Sequence, residues 1–224
     1  MFPLFFMGML GANWFTKLLN GTSNNTNNMN NSYNPLRPTT VSTTLYQTHQ
    51  WIEGYRQTAY KDSRGVVTVG IGITSFSNGT KPIFGKLYDA NYLKSEYLIH
   101  IKSKTTLTNN LLKSYNLIQG YNQNVFDVLC DLYFQGFSIY RQGEAKKRLQ
   151  ISKPAFANWL LTPDGMWAQF WNPKNKKAYA SRWGVLKRAY WRAHWVVGIT
   201  KTPQECETWL SKYRKGEATM PSFI

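Results

Sequence analysis

The sequence predicts a mainly helical α+β domain with one small β-hairpin lobe. Three observations carry that reading. Apolar residues recur at helical spacing through most of the chain after residue 89. A single stretch, TAYK-DSRG-VVTVGIG, has β-branched runs flanking a turn that starts with Asp and ends with Gly. Finally, an Asn-rich tract ends just before Thr44, where the helical pattern starts.

The elements follow in order. Residues 45–56 read as a short helix with Leu45, Ile52 and Tyr55 facing inward, and the hairpin comes next. Asp89 can cap a helix running through Tyr92, Leu93, Tyr97 and Ile101. NQNVFDVLCDLYFQG is the most apolar helix, with Gly136 as its C-terminal cap. Short helices are expected near 142–150 and 154–161, a longer one at about 181–197, and a last one at 203–214 with Pro203 in its first turn. There is no internal repeat.

Residues 1–19, MFPLFFMGMLGANWFTKLL, are apolar and aromatic with one lysine and no acid. The uninterrupted apolar part is shorter than the roughly 20 residues of a membrane-spanning helix, and it lacks the basic start of a secretory signal. It reads as an arm that contacts a membrane or a partner, with Trp14 at the acyl boundary and Lys17 at the headgroups. Packing on the domain's own core is the alternative. Residues 20–44 are largely Asn, Ser, Thr and Pro, too poor in apolar surface to offset the entropy of ordering. They read as a linker, which leaves 45–224 as the folded domain.

Charge narrows the partner without choosing it. The 224 residues carry 27 Lys and Arg against 11 Asp and Glu, a net +16. Such a field concentrates polyanions, whether nucleic acid, anionic lipid or bacterial cell wall. Cys130 lies in an apolar helical pattern and suits a small buried hydrophobe; a bond between it and Cys206 stays open. His49, His100 and His194 are scattered without ligand spacing, which argues against zinc.

Chemistry is concentrated in one segment. Cleaving a glycosidic bond takes one carboxyl that gives its proton to the leaving oxygen and a second, ionised, that activates water or attacks carbon. Glu53 falls in the last turn of its helix, where the negative dipole end and apolar neighbours Trp51 and Tyr60 are expected to favour its protonated form. Asp62 opens the hairpin turn, where exposure and backbone donors favour the ionised form. Different surroundings divide two carboxyls into acid and base. Thr68, on the returning strand, is placed to hold a water near Asp62. Individually the three also read as a helix-end acid, a turn opener and a strand residue. Arg56 is placed to pair with a carboxylate near the hairpin, an interaction worth about 0–1 kcal/mol at a surface.

Taken together, EGYRQTAYKDSRGVVTVGIG resembles the signature of phage-type lysozymes, glycoside hydrolase family 24. Glu53, Gly54, Arg56, Tyr60, Asp62, Gly65, Thr68, Val69, Gly70 and Gly72 all stand in register. Phe134, Gln135 and Gly136 are similar to the turn ending the family's central helix, and Gly184, Val185, Lys187 and Arg188 to its Gly-Leu-x-x-Arg-Arg segment. The likeness runs from about Leu45 to Val197. It implies a lysozyme-like fold with a cleft between a small hairpin lobe and a larger helical lobe. It also implies a muramidase cutting the β-1,4 bond between N-acetylmuramic acid and N-acetylglucosamine with inversion, in the bacterial envelope. Glu53 would protonate the glycosidic oxygen, while Asp62 positions water with Thr68. No metal or organic cofactor is implied. Many members carry His after Gly-x-Gly, where this chain has Ile73; that His is expected to support packing rather than chemistry. The span from Ser75 to Gly85 departs from the family, and residues 163–178 form an insertion-like loop. Its Trp167, Phe170 and Trp171 read as a satellite hydrophobic cluster ahead of a sugar-stacking surface.

Three other readings stand beside that one. A nucleic-acid binder explains the charge and the aromatics, since only Glu205 and Glu207 are acidic from Gly165 to Lys215. No helix-turn-helix, zinc or RNA-binding motif focuses that charge, which disfavours it. A lysozyme-like structural part of a virus particle with weak turnover shares the fold. The favoured refinement of the muramidase reading itself is a particle-borne enzyme that opens the wall during entry, which an arm on a tether would suit. A lytic transglycosylase uses a single acid, and Asp62 with Thr68 argue against it.

Overall fold

The first helix begins where a serine can close it. Ser42 accepts from the Leu45 N–H at 3.1 Å and so caps α1 (Thr43–Glu53). Ser42 is itself held from a distance, because its N–H and hydroxyl both donate to the Asp127 carboxylate, at 3.0 and 2.5 Å. Gln123 and Asn109 donate to the Thr40 and Thr39 carbonyls. The polar tract expected to run as a linker to residue 44 is therefore bonded to the helical body from Thr39 onward. The computed structural model describes residues 38–62, 65–115, 122–137, 139–166 and 182–224. The N-terminal arm, most of the linker, and Trp167, Phe170 and Trp171 of the insertion-like loop lie outside the described residues.

Helix α1 ends at Glu53, three residues before the expected boundary. Gly54 leaves the helical region at φ 75°, a conformation costly for any residue with a Cβ. Tyr55 consequently lies beyond the helix, half-buried against the small apolar clusters. The hairpin follows as expected. Strand β1 (Arg56–Lys61) pairs antiparallel with β2 (Val67–Gly70), with Tyr60 opposite Thr68, Arg56 opposite Gly70 and a bulge between those pairs. A second tight return follows at once, Val69 and Ile73 exchanging both backbone hydrogen bonds at 2.9 Å. Gly70 makes that return, with φ 60°. Ile73 is buried with Ala59, Val69, Phe76, Tyr88 and Leu93, the packing role expected of its position.

Helix α2 (Ala90–Ser114) starts under the Asp89 cap and continues well past Ile101. Its first half seals the hairpin lobe with Leu93, Tyr97 and Ile101; its last turns bury Leu111 and Leu112 in the main core. One helix therefore serves both lobes. Buried Glu96 on α2 takes the Ser77 N–H and hydroxyl, at 2.7 and 2.9 Å, and so anchors the loop after the hairpin.

The larger lobe is built around α3 (Gln123–Phe134), whose residues from Val125 to Tyr133 are all buried. Around it pack α4 (Ile139–Ile151), α5 (Lys153–Leu160), the single-turn α6 (Pro163–Met166), α7 (Arg182–Val196) and α8 (Pro203–Arg214). Phe126, Leu129, Leu132, Phe156 and Leu160 are fully enclosed, each contributing about 1.5–3 kcal/mol of burial. Helix α8 opens with a reciprocal capping box between Thr202 and Glu205. Cys130 and Cys206 are both buried and both free, so the disulfide left open by the sequence is not formed.

A Cβ at position 70 would meet Ile73 Cδ1 at 3.3 Å on a backbone with positive φ. Gly70→Ala is expected to cost about 1–2 kcal/mol, read as a lower urea midpoint at unchanged slope. A midpoint equal to wild type would show that the return is not strained.

Candidate active site

Glu53 closes α1 with its side chain turned into protein rather than solvent; only 2% of that side chain is exposed. The sequence reading expected apolar neighbours. The groups that actually touch the carboxylate are polar: Arg188 Nη1 donates to Oε1 at 2.5 Å and Gln135 Nε2 donates to the same oxygen at 2.8 Å. The reason is topological. The C-terminal end of α1 meets the end of α3, which supplies Gln135, and the middle of α7, which supplies Arg188.

Arg188 is a shared cation. Its Nε lies 3.1 Å from both oxygens of Asp131, and its Nη2 donates to the same carboxylate. Asp131 also receives Arg192 Nε at 2.5 Å and hydrogen-bonds His49 Nε2 at 2.6 Å. The other His49 nitrogen lies 2.9 Å from the Tyr97 hydroxyl. Two carboxyl side chains and two guanidiniums thus sit in one buried array joining α1, α2, α3 and α7. An isolated charge there would cost several kcal/mol, and the opposite charges with their hydrogen bonds offset that cost. Burial opposes charge on Asp131, yet Arg188 and Arg192 beside it, with His49, hold its carboxyl well below the ordinary range.

Asp62 and Thr68 belong to a separate set of bonds and meet at one residue. The Val66 N–H donates to Asp62 Oδ1 at 2.9 Å, and the Thr68 hydroxyl donates to the Val66 carbonyl at 3.1 Å. The backbone closes the same turn, with Asp62 N–H on Val66 O and Gly65 N–H on Asp62 O, both 2.9 Å. Asp62 is half-buried and Thr68 buried. Arg56, expected near a carboxylate, instead stacks its guanidinium over the Tyr60 ring at 4.5 Å. The bulge between Arg56 and Tyr60 accompanies that stacking on one strand.

Reading the sequence missed the array behind Glu53. His49, without metal-ligand spacing, lies four residues before Glu53 on the same helix face. Asp127 and Asp131 were visible as acids inside the most apolar helix. Buried acids demand partners, and that was the available signal.

A lysozyme-like α+β domain is the class this fold defines. It is similar to the endolysin from Escherichia coli O157:H7 phage FAHEc1, with TM-score 0.56 and 20% identity over 72% of this chain and 96% of that one. It is also similar to a mutant of P22 lysozyme, with TM-score 0.51 and 22% identity over 71% of this chain and 99% of that one. The family model for phage lysozyme matches residues 50–158. The endolysin of Salmonella phage P22 is 32% identical over 114 residues, covering 48% of this chain and 74% of that relative. The chain belongs to the phage lysozyme family. It is accordingly a glycoside hydrolase of bacterial peptidoglycan.

Asp131→Asn leaves Arg188 and Arg192 without their shared anion, and is expected to cost about 3–5 kcal/mol at neutral pH. The sign of its pH dependence follows from the lowered carboxyl. The stabilisation is complete above the unfolded value of about 3.9 and fades as pH falls from there toward the folded one. Urea unfolding of both proteins should show the gap narrowing below about pH 4. A gap that stays constant into acid would rule out a charged Asp131 as its source.

Proposed function

We propose that Glu53 is the general acid of this hydrolase and that Asp62, with Thr68, positions the attacking water. The supporting observation is the contrast between the two carboxyls. Glu53 is enclosed and fixed through one oxygen by Arg188 and Gln135, whereas Asp62 stands half-exposed and accepts from the Val66 N–H. An acid that must deliver a proton along one line benefits from a locked rotamer. A base that must receive a mobile water benefits from access.

The bond cut is the β-1,4 linkage from N-acetylmuramic acid to N-acetylglucosamine, by direct displacement with inversion. The glycosidic oxygen takes the Glu53 proton as the sugar–oxygen bond lengthens. Water held by Asp62 attacks the anomeric carbon from the opposite face and passes its proton to that carboxylate. Thr68 donates to Val66 and keeps its oxygen lone pairs for the same water. Arg188 fixes the acid in place and is itself held by Asp131. No step calls for a metal or an organic cofactor.

The apolar arm, residues 1–19, is the segment proposed to reach a membrane or particle protein, which suits an enzyme carried to the wall. Among the described residues no helix is long and apolar enough to cross a membrane.

Turbidity clearing of outer-membrane-stripped bacteria tests the roles. Glu53→Gln and Asp62→Asn are each expected to reduce clearing by about 10²–10⁴-fold with the fold retained. Thr68→Val, which keeps the strand, should lower it by less. Near-normal clearing by Glu53→Gln would overturn the assignment of the acid. Mass spectrometry of the products should show reducing ends; anhydro-muramic ends would mean a transglycosylase.

A further inference from the structure

On the flank of the hairpin lobe, the loop after the second return is laid along the free edge of β1. Gly85 N–H donates to Ala59 O and Ala59 N–H to Lys86 O, both at 2.9 Å, while Tyr88 N–H donates to Gln57 O at 3.0 Å. Lys86 N–H donates to Ile83 O at 3.0 Å, closing a turn whose third residue, Gly85, has φ 77°. The Ile83 N–H is tied to the Tyr88 hydroxyl at 2.8 Å. A knuckle tied to β1 by three backbone bonds results.

What the knuckle displays is unusual for a surface. Ile83, Phe84 and Leu87 are 61, 62 and 69% exposed. Folded proteins scatter such residues singly, and three large apolar side chains within five positions mark a contact site. Lysines surround them. The Lys61 ammonium lies 5.4 Å from the Phe84 ring centre, Lys86 flanks the turn, and Lys81 is exposed just before it. None of the three forms an ion pair among the described residues. Between Asp62 and Asp89 the sequence has no acidic residue at all.

We propose that this knuckle docks the enzyme on an anionic lipid surface. Ile83, Phe84 and Leu87 would enter the acyl boundary, with Lys61, Lys81 and Lys86 at the phosphate level. The chemistry selects lipid over saccharide. Sugar sites use flat aromatic faces with fixed polar partners, whereas two of these three residues are aliphatic and the polar groups beside them are long-stemmed lysines. Long lysine stems let the charges stay in the headgroup layer while the apolar tips insert. The role is independent of the acid and base assignments, since it uses neither residue.

The test uses the full chain, arm included, so that any contribution of residues 1–19 is the same in every protein. Vesicles of phosphatidylcholine alone and with about one third phosphatidylglycerol are sedimented with wild type, with Ile83→Ser/Phe84→Ser/Leu87→Ser, and with Lys81→Gln/Lys86→Gln. Wild type is expected to favour the anionic vesicles. The apolar variant should lose at least about tenfold in partitioning, and the lysine variant about fivefold per charge. Clearing of stripped bacteria and the thermal midpoint should stay at wild-type level, because the altered side chains face solvent. Equal partitioning of all three proteins would overturn the proposal. So would variants that keep lipid binding but lose binding to purified wall sacculi, which would make the knuckle a wall contact.

Discussion

Everything in the site depends on one guanidinium held between two acidic side chains. Arg188 lies among buried helices and reaches Glu53 with one nitrogen and Asp131 with two others. Without Asp131 it would be a desolvated cation leaning wholly on the acid; without Arg188, Glu53 would lose its main anchor at the end of α1. Because α1, α3 and α7 each supply a member of this array, the large lobe must be packed correctly before Glu53 is correctly placed. Fold and site therefore share one polar core.

The array also explains why the core tolerates so many polar groups. Asp127, Asp131, His49, Arg188 and Arg192 are all buried, and such groups are usually a liability. Here they do two structural tasks. Asp127 fixes Ser42, where α1 begins, while Asp131 fixes Arg188, which grips the residue where α1 ends. Two acids one helical turn apart on α3 thus set both ends of the helix that carries Glu53. Burial raises the Asp127 carboxyl above its ordinary range, and the Ser42 and Gln123 hydrogen bonds limit that rise.

Much of this architecture was legible in the sequence, for physical reasons that differ by element. The hairpin was readable because β-branched runs and a D-x-x-G turn are local signals. The caps at Asp89 and Gly136 were readable because single residue types satisfy helix ends. The extent of α2 past Ile101 was not, since its second half includes Lys102, Ser103, Lys104, Thr105 and Thr106 and owes its helicity to packing of Leu111 and Leu112 on the main core. Glu53, Asp62 and Thr68 stood out by their register. Their actual partners did not, because Arg188 lies 135 positions from Glu53 and Asp131 lies 82 from His49. Pairings of that range are made by topology, and no local pattern encodes them. The apolar setting expected for Glu53 from Trp51 and Tyr60 gives way to Arg188 and Gln135, which the fold brings from distant helices.

A crystal structure of Glu53→Gln with a bound wall oligosaccharide tests the central claim directly. The scissile oxygen should lie within about 3 Å of the residue 53 side chain. Asp62 should lie on the opposite face of that sugar with room for one water between them. A saccharide seated with its bond away from position 53, or with Asp62 and the residue 53 side chain on the same face, would contradict it.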